Sequence, residues 1–218
     1  MGTELLESTV LEAQSASFQL MGNIVRTIPD IECINQLATS SVFDEVPYAN
    51  NQPKVKEGLS LLQRWASDYS EEDFDDLYSD YMSLLIGPGK PLASPWESVY
   101  NADDPGLVFQ KETLEVRKDY QALGLQVDQY KQEPDDNIAY EMEFISVLCN
   151  KEIEGLESNN LQLAQDAQDA KARFAKRHPL SWGFEWCSRM TENAKTDFYR
   201  GVALLVEGFL SEVKAEIQ

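Results

Sequence analysis

Apolar residues recur every three or four positions along most of this sequence, as one face of an α-helix requires. The first such run ends before Pro29 and comprises Leu6, Val10, Ala13, Ser17, Leu20, Ile24 and Ile28. β-branched residues nowhere alternate at a period of two for long enough to indicate a sheet. The sequence therefore predicts an all-α fold.

Capping residues and prolines mark where the predicted helices begin. Asp30, Ser70 and Asp135 are residue types that cap helix N-termini, and Pro53 and Pro179 stand where a first helical turn tolerates proline. These positions predict a series of separate helices rather than a few long ones.

A middle helix is predicted to resume the helical spacing near Leu107. Phe109, Thr113 and Tyr120 are expected to face inward, and Gly124 is placed as the residue that follows the helix C-terminus.

Two segments rich in proline and glycine interrupt the helical spacing, at residues 87–105 and 124–134. No helix is expected within residues 87–100. We therefore predict a single helical domain of about eight to ten helices in two groups joined by a proline-containing hinge. The N-terminal group covers about 1–125, the hinge about 126–136 and the C-terminal group about 137–218. The sequence contains no repeat of fixed period, so a solenoid is not expected.

The net charge excludes two classes of partner. The chain has 38 Asp and Glu against 18 Lys and Arg, a formal charge of −20, with −13 in residues 1–109 and −7 in residues 110–218. Nucleic acids and anionic lipid surfaces are bound through Lys and Arg, so neither is expected as a partner. At 43% apolar and 10% aromatic residues the chain can build a core. A cationic partner is favoured.

The sequence predicts a cytoplasmic protein without an integral membrane span. It opens with MGTELLES, which has no basic region of the kind that begins a secretory leader, and it contains no apolar run of about 20 residues. Cys33, Cys149 and Cys187 lie far apart without a CxxC pair, so buried reduced thiols are expected rather than a zinc site or disulfides.

No catalytic or metal-binding residues are predicted. His178 is the only histidine, and we interpret it as an exposed residue at a helix end. HExxH and GxSxG motifs are absent, and the GPGK sequence lacks the remaining features of a P-loop. A small helical hydrolase or haem protein is therefore only a third alternative.

Two features can be explained by structure or by binding. The acidic run from Glu71 to Asp80 is either a solvated helix face or a field that attracts a basic peptide. Trp96 and Tyr100, in a proline-stiffened loop, either fill a gap in the core or form a binding hot spot.

Two motifs resemble those of one protein family. The segment YMSLLIGPGKPLASPWESVY, residues 81–100, and the segment KQEPDDN, residues 131–137, are similar to the signatures of the TorD/DmsD family of cytoplasmic chaperones for molybdoenzymes. The resemblance implies a dedicated chaperone and not an enzyme. Such a chaperone binds the twin-arginine leader and body of an apo-molybdoenzyme of the DMSO or TMAO reductase type, until molybdopterin is inserted and before export by the Tat pathway.

The resemblance also implies a binding site. A twin-arginine leader has a basic and an apolar part, so its receptor needs carboxylates beside an apolar groove. Asp136, with Glu133 or Asp135, is expected to meet the arginines. The complete set of predicted leader-binding or client-binding residues is Tyr81, Leu84, Leu85, Gly87, Pro88, Pro95, Trp96, Ser98, Tyr100, Glu133, Pro134, Asp135, Asp136 and Asn137.

One departure from the family pattern is Asn137, which stands where the family commonly has histidine and cannot act as a proton switch. No cofactor is expected, because the sequence offers no phosphate cradle, although the resemblance allows guanine nucleotide. The protein is expected to be a monomer or a homodimer that exchanges its C-terminal group at the hinge. The alternative function is an all-α interaction adaptor, or a nitrate-reductase-type assembly factor that binds no leader.

Overall fold

The computed structural model describes residues 2–101 and 107–218, with side chains from residue 8. A 3₁₀ turn, Glu71–Asp73, precedes α4, and a π-helical turn, Met82–Ile86, follows it. The described ranges contain no β-strand, which confirms the all-α prediction. The α-helices are α1 Gly2–Arg26, α2 Ile31–Thr39, α3 Pro53–Asp68, α4 Phe74–Tyr81, α5 Ser98–Asn101, α6 Lys111–Ala122, α7 Ile138–Glu157, α8 Leu161–Arg177, α9 Pro179–Asn193 and α10 Asp197–Glu216.

The chain forms two compact units whose segments alternate along the sequence. Unit 1 comprises Met1–Asn23, Pro95–Gly183 and Ile217–Gln218, and unit 2 comprises Ile24–Ser94 and Phe184–Glu216. This division does not follow the predicted groups, because residues 126–136 lie within unit 1 together with the helices on either side of them. A hinge at 126–136 stays a prediction.

Unit 2 is organised around the packing of α3 against α10. Glycines on both helices allow a close approach, since a Cβ on Gly58 would lie 2.8 Å from the carbonyl oxygen of Gly201. The inward positions of α10 are buried as the helical spacing predicts: Phe198, Val202, Leu205, Phe209 and Val213.

Unit 1 contains a helical hairpin formed by α7 and α8. Asn160 caps α8 by accepting a hydrogen bond from the Leu163 amide at 3.2 Å. A Cβ on Gly155 would overlap the backbone of Ala164, so the two helices touch at this point. The predicted inward positions of α7 are buried: Ile138, Met142, Ile145 and Leu148.

Most of the predicted helix starts are confirmed. Asp30 caps α2 by accepting from the Cys33 amide at 3.0 Å, and Pro53 and Pro179 are the first residues of α3 and α9. Ser70 precedes the 3₁₀ turn, and its backbone amide donates a hydrogen bond to the Asp73 carboxylate at 2.8 Å.

The predicted cap at Asp135 is wrong, because Asn137 caps α7. Its side-chain oxygen accepts a hydrogen bond from the Ala139 amide at 2.9 Å. Residues 134–136 are not helical, since residues 136–138 pair with residues 95–97 where the helix would otherwise begin.

The predicted start of the middle helix is also wrong. Helix α6 begins at Lys111, and Leu107 and Phe109 are exposed. Phe109 has a φ of 60°, in the left-handed region, which interrupts a helical path before Gln110, the residue at the N-cap position of α6. Gly124, with a φ of 72°, follows the helix C-terminus as predicted.

Residues 87–100 do contain a helical turn, contrary to expectation. Helix α5 begins at Ser98, three positions after the last proline of the segment, so no missing amide interrupts it.

The thiol prediction holds for two of three cysteines. Cys149 and Cys187 are buried, whereas Cys33 is half-buried, and desolvation followed by the charge of Asp30 raises its pKa. Among the described helices, none combines the length and apolar character needed to cross a membrane.

Candidate functional site

The end of the first motif segment, residues 95–98, lies beside the second motif segment in unit 1. The Ile138 amide donates a hydrogen bond to the Pro95 carbonyl at 2.8 Å, and the Glu97 amide donates one to the Asp136 carbonyl at 2.9 Å. Trp96 and Asn137 form the antiparallel bridge between these bonds. Residues distant in the sequence thus form one rigid element.

Asp136 anchors this element to α6. Its carboxylate is fully buried and accepts hydrogen bonds from the Ser98 amide at 2.8 Å and from the Thr113 hydroxyl. Desolvation raises the pKa of Asp136, although the bonds from Thr113 and Ser98 act in the opposite direction. The side chain is enclosed, so it holds the loops together rather than facing solvent.

Asp135 is paired with Arg117 of α6. Arg117 donates from Nε at 2.8 Å and from its terminal nitrogen at 2.7 Å to the same carboxylate oxygen. The guanidinium also lies 5.0 Å from the centre of the Tyr130 ring. Nothing in the sequence pattern singled out Arg117, which stands one residue after the buried Val116.

Glu133 and Asn137 complete the element. Glu133 is half-buried and accepts from the Asn137 amide group at 2.7 Å and from the Tyr140 hydroxyl at 3.2 Å. Asn137 therefore serves as helix cap and as donor to Glu133, two roles that need no titrating group. Pro134 between them is buried.

Trp96 and Tyr100 are both half-buried. Tyr100 packs on Trp182 with ring centres 5.0 Å apart, and the buried indole nitrogen of Trp96 has no hydrogen-bond partner among the described residues. Tyr100 thus has a packing contact, and both rings keep part of their surface accessible.

The predicted groove residues before the loop belong to unit 2, where they are buried. Tyr81 is 2% exposed, and its hydroxyl donates to the Val25 carbonyl at 3.3 Å. Leu84 and Leu85 lie in the π-helical turn and are equally enclosed. In this structure these three side chains form core and not a binding surface.

Gly87 and Pro88 close that turn. The Gly87 amide bonds to the Met82 carbonyl at 2.6 Å, and its φ of 97° suits glycine alone. A Cβ there would also lie 2.6 Å from the Gly89 carbonyl oxygen. Pro88 is exposed. Both residues shape the backbone of the loop.

A groove of about 170 Å³ lies beside residues 125–128 in unit 1, and we name it groove 1. It combines two carboxylates with aromatic and aliphatic walls, which is the chemistry expected for a leader peptide. Its lining residues are Tyr120, Leu125, Gln126, Val127, Asp128, Tyr140, Glu143, Phe144 and Val147. No pattern in the sequence indicates this groove, because α6, α7 and the segment between them each contribute only part of its lining.

A second groove, of about 270 Å³, lies in unit 2 and is named groove 2. It contains part of the acidic run, but Arg64 already pairs there with Asp197 at 2.7 Å. Its lining residues are Arg64, Trp65, Asp68, Tyr69, Asp73, Asp76, Leu77, Thr196 and Asp197. Asp80, from the same run, is buried and accepts from the Lys195 and Thr196 amides. The run is therefore partly solvated and partly structural.

We expect Asp136→Asn to gain stability relative to the wild type as pH rises from about 4 to neutral. Burial raises the pKa of Asp136 in the folded state. The contribution of Asp136 to the stability of the wild type is therefore fully present below the unfolded-state pKa and is lost as pH rises through the folded-state pKa. Each unit by which the folded-state pKa exceeds the unfolded-state pKa costs the wild type about 1.4 kcal/mol of stability at neutral pH. The asparagine variant has no such cost, because asparagine does not titrate. Urea unfolding of both proteins across this range measures the effect; a stability difference that does not change with pH would contradict it.

Sequence comparisons agree with the motifs. The sequence model described as nitrate reductase delta subunit matches residues 49–188, a range that includes both motif segments. The chain belongs to this family. Its TorD/DmsD branch is the one that the motifs indicated, and it consists of chaperones and not of enzymes.

Several relatives are chaperones by name. The chain is 27% identical to the chaperone protein TorD of Vibrio cholerae serotype O1 strain O395, over 80% of this chain and 75% of that protein. It is 25% identical to TorD of Salmonella schwarzengrund, over 85% and 80% respectively. It is 22% identical to the probable Tat proofreading chaperone DmsD of Haemophilus influenzae, over 65% and 62%.

Proposed function

We propose that this protein binds the twin-arginine leader and the apo form of a molybdoenzyme catalytic subunit. It acts in the cytoplasm and protects its client until molybdopterin is inserted and before Tat export. The observation that carries the proposal is the family match across both motif segments. The similarity to a protein named as a Tat proofreading chaperone supports it.

Groove 1 is the surface we propose for the leader. Asp128 and Glu143 bring carboxylates to the same groove as Leu125 and Phe144. Arginine pairs with carboxylates through a planar fork, and an apolar segment needs an aliphatic or aromatic wall. Asp135 and Asp136 are enclosed by their own partners. The hydroxyl of Tyr120, which lines groove 1, donates to the Asp135 carbonyl at 3.3 Å. The leader would meet the more accessible acids.

The proposal is tested by calorimetry with synthetic twin-arginine leader peptides of the molybdoenzymes encoded in the same genome. Replacing both arginines of the peptide by glutamine should weaken binding at least about tenfold, because each charge-assisted pair contributes roughly 1.5–3 kcal/mol. The double variant Asp128→Asn, Glu143→Gln should weaken binding of the native peptide to a similar extent, and Trp96→Ala should weaken it less.

Glu157→Gln is the matched control, since Glu157 is an exposed carboxylate at the other end of α7. It should leave the affinity unchanged. If the affinity does not depend on the peptide arginines, or if the control variant lowers it equally, groove 1 is not the leader-binding surface. Absence of binding to any leader would reject leader recognition itself.

A second candidate is an assembly factor that binds the folded body of a nitrate-reductase-type enzyme and no leader. The description of the matching family as nitrate reductase delta subunit favours it. Pull-down of the apo-enzyme with and without its leader separates the two: equal capture supports the second candidate.

Exchange of the C-terminal group between two chains remains part of the proposal. It would need residues 134–136 to leave their partners, including the Asp135–Arg117 pair. Light scattering over a range of concentrations would show whether a dimer forms.

A further inference from the structure

Three buried side chains with metal-binding atoms meet in unit 1, apart from groove 1. They are Glu97, Glu141 and His178, and one ligand atom of each lies within 4.8 Å of the other two. Their exposed fractions are 2%, 0% and 1%. The prediction that His178 is exposed is therefore wrong: the residue ends α8, but its ring turns inward against Phe174, with ring centres 4.9 Å apart.

The cluster contains a polar atom with no hydrogen bond. Oε1 of Glu141 is buried without a hydrogen-bond partner among the described residues. Buried polar groups are almost always satisfied, so this oxygen, in a cluster with two other metal-binding side chains, points to a ligand that the side chains alone do not supply.

The charge of the cluster points to a cation. Two carboxyl groups, those of Glu97 and Glu141, meet the imidazole in a region closed to solvent. Desolvation, followed by repulsion from Glu97 and Asp136, raises the pKa of Glu141 well above its usual range, so the ionised form of this group needs a cation beside it. An unpaired buried carboxylate is costly, and a divalent cation would cancel both charges.

The surrounding contacts suit metal ligands. Nδ1 of His178 and Oε2 of Glu97 lie 2.8 Å apart and share a hydrogen bond when no ion is bound. This separation is close to the spacing of about 3 Å between neighbouring ligands held at about 2.1 Å from one octahedral ion. Nε2 faces the Asp119 carboxylate at 3.4 Å, as the second nitrogen of a metal-bound histidine usually faces a carboxylate. The Trp182 indole donates to Glu141 Oε2 at 3.1 Å and fixes that carboxylate.

We propose that Glu97, Glu141 and His178 bind one divalent transition-metal ion, of the zinc or manganese type. One imidazole nitrogen with carboxylate oxygens is a ligand set that these ions accept. The ion links the loop before α5, the first turn of α7 and the end of α8, all within unit 1. Its role is structural, and it is independent of leader binding.

The test uses the full chain after removal of any polyhistidine tag, which would bind the same ions. Protein treated with EDTA is incubated with Zn²⁺ or Mn²⁺, desalted and analysed by mass spectrometry of the metal. We expect one ion per chain. At an ion concentration of about 100 times Kd, the melting temperature should rise by roughly 5–10 °C.

Glu141→Gln and His178→Gln should each reduce the retained ion at least about tenfold and abolish the rise in melting temperature. Glu141→Gln removes a buried charge, so the metal-free variant should fold at least as well as the wild type, and loss of the ion cannot be ascribed to unfolding. The exposed Glu157→Gln serves as the control and should retain the ion.

Two results would overturn the proposal. Equal retention by all variants would place the ions on the acidic surface. If neither ion is retained nor raises the melting temperature, the cluster is a carboxyl pair, Glu97 and Glu141, that shares a proton.

Discussion

Arg117→Ala should lower the free energy of unfolding by about 3–5 kcal/mol, because it leaves the Asp135 carboxylate buried without its cation. The Asp135 side chain is 1% exposed and that of Arg117 is 17% exposed, so water cannot replace the guanidinium in full. The variant also loses the contact with the Tyr130 ring. Urea unfolding followed by circular dichroism at neutral pH measures the change.

Two further variants make this prediction specific. Lys118→Ala removes an exposed cation from the next position of α6 and should cost less than about 0.5 kcal/mol. Arg117→Lys keeps the charge but not the contact through two nitrogens. Its loss in free energy of unfolding should therefore lie between those of Lys118→Ala and Arg117→Ala. A loss below about 1 kcal/mol in Arg117→Ala would mean that water reaches Asp135.

Gly155→Ala should destabilise the protein by about 3 kcal/mol, although alanine favours a helix over glycine by about 1 kcal/mol. The added methyl group would overlap the backbone nitrogen of Ala164 and lie 2.8 Å from its Cα. Backbone cannot move aside as a flexible side chain can, so α7 and α8 must separate. The measurement is the midpoint of urea or thermal unfolding.

A companion variant distinguishes the source of the clash. Ala164→Gly in the Gly155→Ala background removes the Ala164 side chain but leaves the overlapping nitrogen, so it should not restore stability. Glu154→Ala, at the exposed neighbouring position, should change the stability by less than about 0.5 kcal/mol. Stabilisation by Gly155→Ala would show that the helices are further apart than described.

The sequence predicted the helices well because their signals are local. Asp30, Pro53 and Gly124 act on the turn in which they stand, and they lie where caps and breaks were expected. Asp135 failed as a cap because a distant segment pairs with residues 136–138 and delays the helix until Asn137. A long-range hydrogen bond thus overrode a local preference.

The predicted site was less complete. The motifs correctly drew attention to residues 95–98 and 133–137, which the structure brings together. Their acids, however, were expected to face a ligand, and Asp135 and Asp136 face Arg117 and Thr113 instead. Composition shows that carboxylates are abundant but not which of them find partners across the fold.

The cluster around His178 could not be predicted from spacing. Glu97, Glu141 and His178 belong to three segments, and no two are close enough in the sequence to form a recognisable motif. A single histidine also resembles a surface residue until the elements packed around it are known.

The alternation of the two units along the chain determines when each can fold during synthesis. Unit 2 pairs α3, at Pro53–Asp68, with α10, at Asp197–Glu216, and unit 1 needs both its N-terminal helix and residues up to Gly183. Since the ribosome releases the chain from its N-terminus, unit 2 cannot be completed until α10 has emerged, long after α3. Until then the apolar face of α3 has no partner helix to cover it. We therefore expect the nascent chain of this protein, whose relatives are chaperones, to need protection from aggregation.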